Sequence, residues 1–166
     1  MLRLFILFFL IVPCLGFPQK IPTYLSIDGG GNGVAASANI AKPVFVHQRF
    51  KIIAQAGLGW NPKTVYSDLP FSIPAQLTAC FGKETFFFEA GLGSTFIYKG
   101  QIKLQESEKK SNMFYLSPII GFRHESQSWF ARMYINPLFR LNGNTLYDEV
   151  TRDALNFGIS IGTIIK

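Results

Sequence analysis

Charge is scarce in this chain. Asp, Glu, Lys and Arg make up 16% of its 166 residues, while hydrophobic residues reach 48%. A soluble domain carries about a quarter of its residues as charge, so an ordinary hydrated surface is under-supplied here. Cysteine is nearly absent: Cys14 lies in the N-terminal apolar segment, which leaves Cys80 alone in the remainder. One cysteine forms neither an internal disulfide nor a cysteine-based zinc site. The two histidines, His47 and His124, stand far apart. No spacing of His, Asp or Glu suits a metal, and no cofactor is expected. The formal net charge of +6 is dispersed. Without a Lys/Arg stripe interleaved with aromatics, a nucleic-acid surface is excluded.

The first residues form a separate object. Met1-Leu2-Arg3 is a short positive start, Leu4 to Val12 is an unbroken apolar run, and Pro13-Cys14-Leu15-Gly16 supplies small residues at a cleavage point. This pattern predicts a secretory signal peptide over residues 1–16, too short to span a bilayer as a helix. Residues 17–166 are then one mature domain. Lipidation of Cys14 fits poorly, because Pro13 stands where a small residue is needed.

What the chain does have is aromatic alternation. It holds 17 Phe, and aromatics reach 15%. From Phe71 to Phe81, Phe71, Ile73, Ala75, Leu77, Ala79 and Phe81 alternate with small or polar residues. After Gly82-Lys83-Glu84, read as a hairpin connection, Phe86, Phe88, Ala90, Leu92, Phe96 and Tyr98 share one face, interrupted by Ser94. A period of two over this length means β-strand. Two such strands, apolar on one face only, are the unit of a transmembrane barrel.

The same period recurs along the chain. A strand over Thr23–Gly30 precedes Gly29-Gly30-Gly31-Asn32-Gly33, whose Asn-Gly reads as a hairpin turn. A phosphate loop needs a helix after its glycines; here Val34, Ala36, Ala38 and Ile40 alternate instead. Further strands are predicted over Phe50–Trp60, Met113–Arg123 and Trp129–Arg140, and a last one from Leu155 to Ile165. Asn61–Asp68, Lys99–Asn112 and Leu141–Asp153 are long polar connections, and the connection between the first two strands is short. Bulges are expected at Pro74, Pro118 and Pro137, since each removes a ladder donor. The fold class is therefore all-β: an eight-stranded, antiparallel, up-and-down transmembrane β-barrel, which closes without a free edge.

Size decides which face looks outward. Eight strands enclose an interior just wide enough for packed side chains. The Phe-, Leu- and Ile-rich face is too bulky for that space. The opposite face carries Gly57, Gly59, Gly91, Gly93, Gly121, Gly158 and Gly162, with Cys80 as a small filler. Asp28, Glu89, Arg123 and Arg132 fall on this inner face by parity. Burial without a partner is costly, so a lumen charge network is expected, with Glu89 paired to Arg123, Arg132 or both in bidentate geometry.

No catalytic constellation is visible, and the protein is not expected to be an enzyme. His124-Glu125-Ser126 superficially resembles a catalytic trio. Neighbours on a strand point to opposite faces, and in the connection predicted over His124–Ser128 the three are merely polar. The acids of Tyr147-Asp148-Glu149 and Asp153 belong to a solvated loop rather than a calcium site.

Several short motifs also carry a family resemblance. Gly30-Gly31-Asn32-Gly33 leads to Ser37-Ala38-Asn39, and Ser72-Ile73-Pro74 to Phe81-Gly82-Lys83. Phe88-Glu89-Ala90-Gly91, Gly121-Phe122-Arg123, and Phe130-Ala131-Arg132 leading to Pro137-Leu138-Phe139 complete the set. With these the chain resembles the small OmpX-like outer-membrane β-barrel proteins of Bacteroidota, most of which have no assigned activity. It departs from them at Ala41-Lys42, where an acidic-basic pair is common, and at Lys166, where such barrels tend to end on an aromatic.

The resulting expectation is a packed-lumen barrel in a bacterial outer membrane, acting structurally or through its long loops. Its partners are outer-membrane lipid and the insertion machinery; the loop partner is not named by the sequence. Two other readings stay open: a soluble lipocalin-like barrel holding an apolar ligand, and a lipid-modifying outer-membrane enzyme.

Overall fold

The computed structural model describes residues 21–33, 35–60, 67–68, 71–102, 111–142 and 155–166. The signal peptide, Cys14 and the acids of residues 147–153 lie outside them.

Aromatic and β-branched residues at period two favour extended chain, and strands dominate. They are β1 (Thr23–Gly30), β2 (Ala36–His47), β3 (Phe50–Trp60), β4 (Ser67–Asp68), β5 (Phe71–Lys83), β6 (Phe86–Ile102), β7 (Ser111–Glu125), β8 (Trp129–Pro137), β9 (Phe139–Asn142) and β10 (Leu155–Ile165). The eight long strands pair antiparallel in chain order, and β1 closes the circuit on β10. β4 adds a short rung against the end of β6, and β9 continues β8 along β7. The architecture is a closed eight-stranded barrel. Followed once around, the register returns to β1 displaced by about ten residues, so the strands tilt strongly against the barrel axis.

Several details differ from the sequence-based expectation. The β5–β6 turn is Glu84-Thr85, with Glu84 at φ 62°, and Gly82 and Lys83 stay in the ladder opposite Phe87 and Phe86. The β2–β3 turn is Gln48-Arg49, with Gln48 at φ 43°. Two-residue hairpins need positive φ because only that twist matches the strands. The predicted polar connections are shorter than expected, since β6 runs on to Ile102 and β7 starts at Ser111. His124 and Glu125 are strand, not turn.

The bulges expected at Pro74, Pro118 and Pro137 do not form there. Register shifts occur instead between Pro43 and Phe45 on β2, between Ile97 and Gly100 on β6, and between Phe114 and Tyr115 where β7 pairs with β9. Pro74 falls opposite Gly57, where the β3–β5 ladder skips two rungs. The pairs Ile120↔Ile135 and Leu116↔Phe139 set Pro118 opposite Pro137. Two residues without an N–H thus share one gap, instead of interrupting the wall twice.

The strand ends that lead into the long connections all lie at one end of the barrel, and the two- and three-residue turns lie at the other. Every long strand turns large apolar residues outward, among them Ile27, Leu58, Leu92, Phe122, Met133 and Ile159, each more than 60% exposed. Tyr24, Ile53, Cys80, Glu89, Arg123, Phe130, Arg132 and Asn136 are buried inside. The wall is apolar outward and polar inward, which is the reverse of a soluble barrel.

Candidate functional site

The lumen is filled in layers. Nearest the short turns, Tyr24, Ala41, Ile53, Cys80 and Phe130 form an apolar cluster. Lys51 Nζ lies 2.5 Å from Glu125 Oε2 and 3.9 Å from the centre of the Phe87 ring. Glu125, read from sequence as a polar turn residue, therefore faces the lumen. Its neighbour His124 points the other way and packs between Phe86 and Trp129 on the outer wall, at 4.6 Å and 5.2 Å.

Above this layer sits Glu89, fully buried. Arg123 Nε donates to Glu89 Oε1. Arg132 Nε lies 3.0 Å from Glu89 Oε2, as an ion pair rather than an aligned hydrogen bond. The expected bidentate fork is absent, because the carboxylate is divided between two guanidiniums, one oxygen each. Three further nitrogens find other acceptors. Arg123 Nη1 reaches Glu125 Oε1 at 3.3 Å, while Arg132 Nη1 and Nη2 donate to Gln55 and Gln76, both at 2.9 Å. Each guanidinium also lies over a ring, Arg123 over Phe130 at 4.5 Å and Arg132 over Tyr134 at 4.2 Å.

Asp28 is buried but does not touch Glu89 or either arginine. It accepts from Ser26 Oγ at 2.9 Å, Gln55 Nε2 at 3.3 Å and the Tyr134 hydroxyl at 3.4 Å. Gln55 thus relays between Asp28 and Arg132. Of the four charges assigned inward by parity, three meet directly and one joins through an amide. Parity identified which side chains face in. It carried no information on the tilt that brings Gln55, Gln76 and Lys51 beside them.

The third layer is not the hairpin turn that Asn32-Gly33 predicts. Gly30 and Gly31 adopt φ 70° and 65°, which turns the chain inward at the end of β1. Gly31–Gly33 then forms a short 3-10 turn buried inside the barrel. Five strands hold it. Asn32 Oδ1 accepts from Ser117 Oγ and Asn136 Nδ2, both at 2.7 Å, and its backbone oxygen accepts from Thr95 Oγ1 at 2.7 Å. Asn156 Nδ2 reaches Gly31 O at 2.8 Å, and Ser72 Oγ reaches Gly33 O at 3.0 Å. A methyl on Gly93 would fall on the Asn32 amide, so only glycine leaves room for this plug. The connection between the first two strands is short because it folds in, not because it turns tightly. The available signal was small polar residues on five inner faces. Beyond the plug, Ile97, Met113, Tyr115 and Leu138 form an apolar cap.

Replacing Asn32 with Ala leaves Ser117 and Asn136 without their acceptor, which costs about 1–3 kcal/mol. Thermal unfolding in detergent should shift down accordingly. An unchanged transition would mean the plug contributes nothing to the wall's stability.

No protein-family model matches this chain, and no curated protein matches its sequence. Solved structures do match. It superposes on the N-terminal β-barrel domain of Pseudomonas aeruginosa OprF with a TM-score of 0.53 at 14% identity, covering 87% of this chain and 97% of that one. Neisserial surface protein A (NspA) aligns with a TM-score of 0.50 at 12% identity, over 88% of this chain and 95% of that one. The fold is that of a small outer-membrane β-barrel. In this fold the layers just described pack the described interior with side chains, as eight strands allow. Among the described residues, no group of three or more His, Cys, Asp or Glu is placed to hold a metal ion.

Proposed function

We propose that the protein resides in a bacterial outer membrane, with its long connections outside and its short turns in the periplasm. There it acts as a structural or surface-interaction protein rather than an enzyme. The observation that carries this reading is the outward apolar belt around a polar, closed interior. Water would leave that belt unsatisfied over far more than the few hundred Å² a soluble protein usually exposes, which speaks against a lipocalin-like barrel. Lipid satisfies it. The charges inside the described barrel balance, with Asp28, Glu89 and Glu125 against Lys51, Arg123 and Arg132. Their part is to tie the wall together from within. A lipid-modifying enzyme would need a nucleophile and base open at one rim, whereas Glu89, Arg123 and Arg132 are buried and mutually committed.

On this reading residues 1–16 are cleaved after Gly16 on export, the host is a Gram-negative bacterium of the Bacteroidota, and the outer-membrane insertion machinery assembles the barrel. Two measurements test it. The protein should fractionate with outer membranes, and unboiled samples should migrate differently from boiled ones on a denaturing gel, because a closed barrel stays folded in detergent until heated. Recovery in the aqueous fraction without detergent would overturn the proposal.

A further inference from the structure

At the short-turn end, β3 and β5 pair as far as Phe50↔Phe81, which sets the 48–49 and 84–85 turns side by side. The Gly82 amide donates to Arg49 O at 3.0 Å and fixes one hairpin against the other. Between them lies a cleft of about 480 Å³ lined by His47, Arg49, Phe50, Phe81 and Lys83, among others. Its floor is aromatic. The Phe50 and Phe81 rings lie 4.8 Å apart, and just outside the cleft Phe45 packs 5.8 Å from Phe50. This floor continues into the apolar belt, since Phe45 and Phe81 are both about half exposed on the outer wall. The rim is cationic. Arg49 and Lys83 are exposed there, and Lys42 adds a third cation further along the outer face of β2. Glu84 is the opposing acid, but its 3.5 Å contact with Lys83 is fully in water, where such pairs are weak.

We infer that this cleft binds the headgroup of an anionic glycerophospholipid in the leaflet facing the short turns. The inference rests on the membrane location proposed above. A phosphate diester matches Arg49 and Lys83 at the water border, and the glycerol and acyl chains attached to it match the ring floor. Free phosphate would meet the rim but leave the floor empty. A zwitterionic lipid would fill the floor but bring its own cation to the rim. Lysine and arginine at this depth keep their charge in water while their stems lie on apolar surface. Two hairpins locked together before the lipid arrives keep the ordering cost low.

The test is thermal unfolding of the purified full chain in neutral detergent micelles, titrated separately with phosphatidylglycerol, phosphatidylcholine of the same acyl chains, and inorganic phosphate. Phosphatidylglycerol should raise the unfolding temperature in a saturable manner, and the other two should not. In the double variant Arg49→Gln, Lys83→Gln the apparent affinity for phosphatidylglycerol should fall about tenfold or more. Its boiled and unboiled gel mobilities should stay those of the parent. The single variant Arg49→Gln, with a smaller loss, guards against a folding defect in the double. Equal shifts with both lipids, a shift reproduced by phosphate, or undiminished selectivity in the variants would each overturn the inference. A protein that fractionates with outer membranes yet shows no headgroup preference loses only the cleft, not the location.

Discussion

Replacing Leu92 with arginine is expected to keep most of the protein out of the folded, heat-resistant form, while Phe86→Arg is tolerated. Leu92 is 67% exposed on the outer wall, midway along the β5–β6 hairpin, where it pairs with Leu77 and Pro118. An arginine there faces acyl chains at the depth where a charge costs about 2–4 kcal/mol. Phe86 is equally exposed but stands beside the Glu84-Thr85 turn, where the long arginine stem reaches water and the cost falls to about 0–1 kcal/mol. Folded yield in lipid vesicles, read from unboiled gel mobility, checks the pair. The contrast between the two depths matters more than either value. A barrel bathed in water would accept both arginines, so equal yields would remove the membrane from the account.

Glu89→Ala is expected to lower the unfolding temperature more than any other single change in the lumen. It leaves Arg132 with only Gln55 and Gln76 as acceptors, and Arg123 with Glu125 alone. Breaking a buried ion pair from one side costs about 3–5 kcal/mol, because a desolvated charge remains. The interior of the described barrel would then carry one uncompensated positive charge. The double variant Glu89→Gln, Arg132→Gln restores the balance and should regain part of the loss, even though it removes two interacting groups. If the double variant melts no higher than Glu89→Ala, uncompensated charge is not the cause.

Much of this wall was readable in the chain. Alternation along Phe50–Trp60 identifies β3 with its bounds, and parity assigns Ile53, Cys80, Glu89, Arg123 and Arg132 inward. The prolines and the first connection depart from the sequence expectation for a common reason. Whether Pro74 needs a bulge depends on what stands across from it, and Gly57 is 17 positions away in the chain. Whether Gly31-Asn32-Gly33 turns outward or inward depends on Ser72, Thr95, Ser117, Asn136 and Asn156, which the chain alone does not bring together. Glu125 joined the lumen only because β7 runs on past Arg123.

By itself the sequence determined the strands, the inward and outward faces and the scarcity of surface charge. A period of two is a local property, and each residue's face follows from counting. Only the closed barrel decided which inner residues meet, because strand tilt and register place side chains from distant strands at one height. The division of Glu89 between two arginines, the inward plug and the paired hairpins above Phe50 and Phe81 all arise from that closure.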